Sequence, residues 1–182
     1  MKKIFASILF VFMVIMLSGC GSKGEKDILK NLSKKVDVEA YYLDGKLEIV
    51  NNEDSYQYDV EAAYQSKNNF RVSLKNKVNN HEQIILKNEE GVYVLTPSLN
   101  KSFKFQSEWP YNNSQSYLLQ TVIQDLKNDE NLGFEENNDG YIFTSTVNYA
   151  NNPNLVKQKV YLDKDLNIKE VIVLNNEDVM QM

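Results

Sequence analysis

A period of two constrains this chain more than any other feature. Tyr56, Tyr58, Val60, Ala62 and Tyr64 alternate with Gln57, Asp59, Glu61 and Gln65. Phe70, Val72 and Leu74 alternate with Arg71, Ser73 and Lys75, and Phe103 and Phe105 with Ser102, Lys104 and Gln106. Successive side chains of a strand point to opposite faces, so runs of this kind bury one face and wet the other, which is the habit of antiparallel sheet. Similar runs stand at 38–50, 83–87, 92–95, 141–147, 156–162 and 168–174. Together they predict a meander of about nine strands, without the βαβ rhythm of a parallel sheet.

Asn pairs separate the runs: Asn51-Asn52, Asn68-Asn69, Asn79-Asn80, Asn137-Asn138, Asn151-Asn152 and Asn175-Asn176. Asn tolerates left-handed backbone angles and hydrogen-bonds its own main chain, so it serves hairpins in a chain with only seven glycines. Asp44-Gly45 and Asp139-Gly140 read as two further hairpin turns. Two segments break the alternation. From Lys26 onward Ile28, Leu29, Leu32 and Val36 fall at helical spacing, with Lys30, Lys34 and Lys35 opposite. Over 115–129 Leu118, Leu119, Val122, Ile123 and Leu126 do the same against Gln120, Gln124, Asp125 and Lys127. Ser114 or Ser116 is placed to cap the second helix. A helix set midway through an antiparallel meander is expected to lie across the sheet's apolar face, here through Leu118, Leu119 and Val122. The fold class is α+β, with no domain boundary inside 26–182.

Residues 1–19 read as a signal peptide. Lys2 and Lys3 precede an uncharged apolar run over 4–16, and small residues close it. A spanning helix needs about 20 apolar residues, so the run is too short to remain as one. Leu17-Ser18-Gly19-Cys20 resembles the lipobox of bacterial lipoproteins. That resemblance implies cleavage between Gly19 and Cys20, thioether lipidation of Cys20, and acylation of the new N-terminus with a fatty acid such as palmitate. Several acyl chains hold firmly where one binds only marginally. Residues 20–25 would then be a short tether and the protein extracytoplasmic, held on the membrane by its lipid.

Cleavage leaves 163 of the 182 residues and, with Lys2 and Lys3 gone, moves the net charge from −5 to −7. Nucleic acid demands clustered Lys and Arg, so an acidic chain argues against it. The same balance argues against the body of the domain lying on anionic lipid, leaving the tether to hold it there. Cys20 is the sole cysteine, so neither a disulfide framework nor a cysteine metal site is expected.

Catalytic patterns are scarce. His81 is the only histidine, and its neighbours Asn80 and Glu82 mark a solvated hairpin end. Asp163-Lys164-Asp165 opens like a calcium loop, but Ile168 and Leu174 occupy the places that require Gly and a bidentate Glu, so 163–167 reads as a turn. Glu89-Glu90 and Glu135-Glu136 are paired carboxylates beside turns, where solvated charge is ordinary. No cofactor, metal or catalytic set is expected. What remains is apolar surface: Tyr58, Val60, Tyr64, Phe70, Val72, Phe103 and Phe105 on one sheet face, with Leu118, Leu119 and Val122 to cover it. Tyr56, Tyr58, Tyr64, Phe70, Phe103 and Phe105 have the volume to fill that interior, and a face left open would take an acyl chain or a partner instead.

The stretch 91–105, followed by Trp109-Pro110-Tyr111-Asn112 and Tyr117-Leu118-Leu119, is similar to the LolA-like (outer-membrane lipoprotein carrier-like) proteins of spore-forming Gram-positive bacteria, close to the germination lipoprotein GerS and its relatives. The resemblance follows the order helix, meander, helix, sheet through most of the chain. It implies an antiparallel half-open β-barrel with helices on its concave face. A carrier shuttles in solution, whereas a protein fixed by Cys20 stays put. The GerS relatives imply another role, a non-enzymatic lipoprotein that binds a peptidoglycan amidase during spore cortex modification and germination. The alternative is a binder or carrier of lipid or lipoprotein acyl chains in the half-barrel. At the other end, residues 171–174 read as a strand, 175–178 as a turn, and 179–182 as the start of one more alternation. The expectation is a C-terminally truncated sheet, short of about two strands.

Overall fold

The computed structural model describes residues 24–51, 54–65, 69–106, 114–150 and 152–182. The signal peptide, Cys20 and its cleavage site, and the Trp109-Pro110 motif lie outside those residues.

Helix α1 (Glu25–Val36) is followed by strands β1 (Ala40–Asn51), β2 (Asp54–Gln65), β3 (Asn69–Asn76), β4 (Glu82–Asn88), β5 (Gly91–Thr96) and β6 (Lys101–Lys104). After helix α2 (Leu119–Asn128) come β7 (Gly133–Glu136), β8 (Gly140–Thr146), β9 (Leu155–Asp163) and β10 (Ile168–Asn175). Every strand pairs antiparallel with its sequence neighbour, except across α2. There the meander divides into two sheets, β1 to β6 and β7 to β10. The architecture is α+β, and among the described strands the sheets do not close on each other.

The Asn pairs whose two residues are both described do the work the sequence assigns to them: Asn79 Oδ1 accepts from the amide of His81, Asn137 Oδ1 from those of Asp139 and Gly140, and Asn175 Oδ1 from those of Glu177 and Val179. Asn76, outside any pair, accepts from the amides of Val78 and Asn79 in the same way. Asn80 takes the left-handed angle at φ 56°. Asp44-Gly45 makes no turn: both lie within β1, where Gly45 stands opposite Val60 in a twelve-residue ladder. Long-range pairing there overrides the local signal. β7 carries one apolar residue, Phe134, between Gly133 and two glutamates, and so showed no alternation to read.

Two hydrophobic clusters hold the chain together. In one, Ile28 and Leu32 of α1 and Val122, Ile123 and Leu126 of α2 pack on Tyr141, Phe143, Val160 and Leu162 of the four-stranded sheet. In the other, Leu47, Val60, Ala62, Phe70, Val72, Ile85 and Val92 cover one face of the six-stranded sheet together with Leu118. At roughly 1.5–3 kcal/mol for each fully buried large aliphatic or aromatic side chain, either cluster is a core in its own right.

The expected single apolar face with helices laid across it is therefore corrected. Both helices bury their apolar sides on the four-stranded sheet, and the six-stranded sheet receives only Tyr117 and Leu118 from the run leading into α2. That helix also starts later than its apolar spacing suggests. Leu118 is extended and stands at the cap position without a side-chain cap. Ser114 does not cap it either: its Oγ accepts from the amide of Asn148, while Thr121 Oγ1 donates to the carbonyls of Gln115 and Leu118.

Candidate functional site

β1 and β10 are the outer strands of their sheets, and they line a common groove of about 780 Å³. Leu43, Leu47 and Val60 form one wall, Ile168, Val171 and Ile172 the other, with Tyr117 and Leu119 beneath and Met180 and Met182 at one end. Charges stand around it: Asp44, Lys46, Glu48 and Lys77 on the β1 side, Lys169 and Glu170 on the β10 side.

At that end the last residues join both sheets. Gln181 O accepts from Val50 N (2.8 Å) on β1, while Val173 of β10 donates to Met182 O (2.8 Å) and accepts from Gln181 N (2.9 Å). Leu174 and Met180 form an antiparallel bridge. Residues 179–182 thus occupy a strand's place between β1 and β10. Hydrogen bonds alternate sides along a strand. Since Val50 N points away from β2, the main-chain groups of Glu48, Lys46 and Asp44 point the same way, and those of Val171 continue the row of Val173. No described strand pairs with them. The arrangement offers apolar walls and two rows of main-chain donors and acceptors, the requirements of an added strand.

The groove floor is fixed by polar contacts. Tyr41 Oη donates to Gln120 Oε1 and accepts from Leu119 N at 3.2 Å, tying β1 to α2. Burial raises the Tyr41 hydroxyl to about 12 despite the hydrogen bond from Leu119, so it stays protonated and donating at any physiological pH. Behind Tyr117 lies a buried polar cluster. Gln158 and Ser145 are 1% and 2% exposed and bonded to each other at 3.1 Å. Gln158 Nε2 stands 3.5 Å from the carboxylate of Asp125. Desolvation pushes Asp125 up to about 6, opposed by a hydrogen bond from Ser114. Desolvation likewise raises Tyr149 to about 12. The sequence reading passed over this cluster because Asp125 sits among the polar residues of α2, where a solvated charge is the ordinary reading.

The residues singled out from sequence separate into groups. By register Tyr58, Val60, Tyr64, Phe70, Val72 and Phe103 do share one face of the six-stranded sheet, and Phe105 N donates to Val92 O at its edge. Val60, Phe70, Val72 and Leu118 are buried in its core, with Tyr58 and Tyr64 packed against it. Phe103 and Phe105 are instead 62% and 42% exposed, and Tyr56 44%. Half of the aromatics expected to fill the interior therefore do not. Leu119 lines that groove and Val122 belongs to the helix cluster.

His81 stands exposed between β3 and β4, Glu89 and Glu90 in the turn after β4, and Glu136 pairs with Lys164 on the surface. The turn read at 163–167 is present: Asp163 accepts from the amides of Asp165 and Asn167 and from the Asn167 side chain, which holds its carboxyl below the usual range. The structure does not bring these groups together, and among the described residues no cluster of His, Cys, Asp and Glu could hold a metal ion.

Comparison with known proteins places the chain in a family. Two solved structures share features of its outline at low identity. One is a chain of the CwlD amidase–GerS lipoprotein complex from Clostridioides difficile (16% identity, 89% of this chain and 92% of that one, TM-score 0.46). The other is a DUF1329 family protein from Desulfovibrio piger (14%, 85% and 73%, TM-score 0.43). In sequence the chain is 37% identical over 166 residues to sporulation protein YdcC of Bacillus subtilis, covering 90% of this chain and 49% of that protein, so it spans about half the length of the curated relative it matches. The family model for sporulation protein YdcC-like proteins matches residues 1–182, and the chain belongs to that family of sporulation proteins.

Proposed function

We propose that this chain is a lipid-anchored, extracytoplasmic and non-catalytic protein of sporulation that works by docking a protein partner, a cell-wall amidase of cortex modification or germination, with the groove between β1 and β10 as the docking site. The observation that carries the docking is the pair of facing strand edges, already joined at one end by residues 179–182. A strand added in line with residues 179–182, from the partner or from this protein's own sequence, would continue that pairing along Glu48, Lys46 and Val171. The amidase as partner, and a close kinship with GerS and the LolA-like carriers, rest on the resemblance of 91–105 and the residues after it. The anchor rests on Leu17-Ser18-Gly19-Cys20.

A second reading, an acyl chain in the groove, is favoured by the volume and by Leu43, Leu47, Ile172 and the two methionines. The main chain favours the strand. An acyl chain would cover the outward amides and carbonyls of both edges without bonding them, whereas a strand satisfies them.

The test is co-purification of the tagged full chain from sporulating cells, wild type against Lys46→Pro. Proline at 46 removes an amide that points into the groove and leaves the β1–β2 ladder intact, as edge strands tolerate. The amidase is expected with the wild type and at least about tenfold less with the variant, at unchanged melting temperature. Equal recovery with both would refute docking in the groove, and a fatty acid in the native mass spectrum would move the second reading to first place.

A further inference from the structure

A second cleft lies at the surface of the two helices. It has a volume of about 380 Å³ between α1 and the end of α2, and Lys26, Lys30, Lys34 and Lys127 surround it. Lys26, Lys30 and Lys34 recur every fourth residue and so share one side of α1. All four are exposed, and none enters an ion pair among the described residues, although the chain as a whole carries −5. Asp37 is the one carboxylate lining the cleft, so it is net cationic within a net anionic molecule. Glu25 and Asp27 lie in the first turn of α1, and Lys35, next along, is already bonded to Asp165 and Asn167.

The cleft also has an inner surface. Leu29 gives an apolar wall, and Ser33, 9% exposed, is among the lining residues, its own hydroxyl buried and without a hydrogen-bond partner among the described residues. A buried hydroxyl without a partner is uncommon, because it forfeits the bonds it would make in water. Position adds to chemistry. Four residues separate Cys20 from Glu25, five peptide steps and a reach of at most about 18 Å, so a lipid on Cys20 would keep α1 near the bilayer.

We propose that the lysine-lined cleft between α1 and α2 binds phosphate headgroups of anionic phospholipid, laying α1 along the membrane that carries the anchor. The proximity rests on the anchor of the proposed function, while the cleft's affinity does not. It also refines the expectation from net charge: the molecule as a whole is repelled by anionic lipid, but this face is attracted. Each lysine held near such a surface contributes about fivefold in affinity, and the attraction fades as salt shortens the screening length from about 10 Å to about 3 Å.

The test is lysine footprinting of the full chain. The chain is reconstituted with vesicles of phosphatidylcholine alone or phosphatidylcholine with phosphatidylglycerol, labelled with a water-soluble acetylating reagent, and read by mass spectrometry. Lys26, Lys30, Lys34 and Lys127 are expected to label at least about fivefold less on phosphatidylglycerol vesicles at low salt, while exposed Lys75 and Lys101 stay unchanged. In the Lys30→Gln, Lys34→Gln double variant, protection of Lys26 and Lys127 should be lost. Chain bound to both vesicle types with the four lysines equally labelled would overturn the cleft and leave the anchor standing. Chain bound only to phosphatidylglycerol vesicles with the four protected would support the cleft and refute the anchor. Binding to neither would refute both. Protection by inorganic phosphate on phosphatidylcholine vesicles would make the cleft a free-phosphate site and overturn the membrane assignment.

Discussion

Removing one negative charge from α2 should make this protein more stable near neutral pH and leave it unchanged in acid. Asp125 is half-buried beside Ser114 and Gln158, and desolvation raises its pKa from 3.8 to about 6. The unfolded chain gives up this proton near 3.8 and the folded chain near 6. Between those values the folded state holds more protons, so stability falls as pH rises through the window, and above it the whole penalty applies. A rise of about two units corresponds to about 3 kcal/mol at full weight, and the carboxyl's partial access to water reduces this to about 1.5 kcal/mol. Asp125→Asn keeps the volume and one acceptor oxygen, for Ser114 or Gln158, while abolishing the charge. At about pH 7.5 it should stabilise by about 1–2 kcal/mol, raising Tm by about 3–6 °C, and at about pH 4 the gain should vanish. Urea titration at both pH values is the assay. An equal gain at both, or a loss at the higher pH, would refute the argument, the second by showing that the charge is needed by something it touches.

Three further outcomes follow from the same residues. Cys20→Ala should leave the membrane fraction or retain its signal, and metabolic fatty-acid labelling should mark the wild type alone; equal labelling of both refutes the lipobox. Leu118→Ala, at a fully buried position, should cost about 2–5 kcal/mol in urea unfolding, while Phe103→Ser, 62% exposed, should cost less than about 1 kcal/mol, and the reverse order would mean that Phe103 is covered. His81→Ala and Glu136→Gln should both leave sporulation at wild-type efficiency, and loss of function in either with the fold intact would bring an enzymatic role forward.

Where local pattern and tertiary context agree, the sequence was legible. The alternation at 56–65 and 70–74 became β2 and β3 because each strand has one buried face, and the Asn pairs at 79–80, 137–138 and 175–176 became turns because their side chains bond the main chain within two to four residues. Where a distant partner decides, it was not. Asp44-Gly45 is a turn by local preference and a strand by pairing with β2. Phe103 and Phe105 alternate like core residues, and register does place Phe103 on the core face, but β6 is an outer strand and among the described residues no helix packs on its end of the sheet. Alternation reports which face a side chain occupies and not whether anything lies on it. The groove was illegible for a related reason. Its walls come from residues more than a hundred positions apart, and its defining feature, main-chain groups without a strand beside them, has no signature in side-chain chemistry. The pairing of 179–182 was the exception, since the renewed alternation there announced a strand and the structure shows those residues in a strand's place.

That main-chain feature gives the most direct reading of the docking site, because it predicts a pattern amide by amide. In β1 the odd residues Leu43, Gly45, Leu47 and Ile49 face β2, since Val50 N points to Gln181 O on the other side. Their amides should exchange slowly with solvent, and those of Asp44, Lys46 and Glu48 quickly, with Val50 slow again because residues 179–182 cover it. Exchange in the unbound chain, followed by NMR, should therefore alternate along 43–49 and stop alternating at 50. A partner strand laid between β1 and β10 would slow Lys46, Glu48 and Val171 together and remove the alternation, since it bonds both edges at once. An acyl chain would slow exchange less and without regard to odd or even position, because it shields amides without bonding them. Uniform protection of 43–49 in the unbound chain would mean that the β1 edge is already paired, and the groove would then have no vacant strand position to offer.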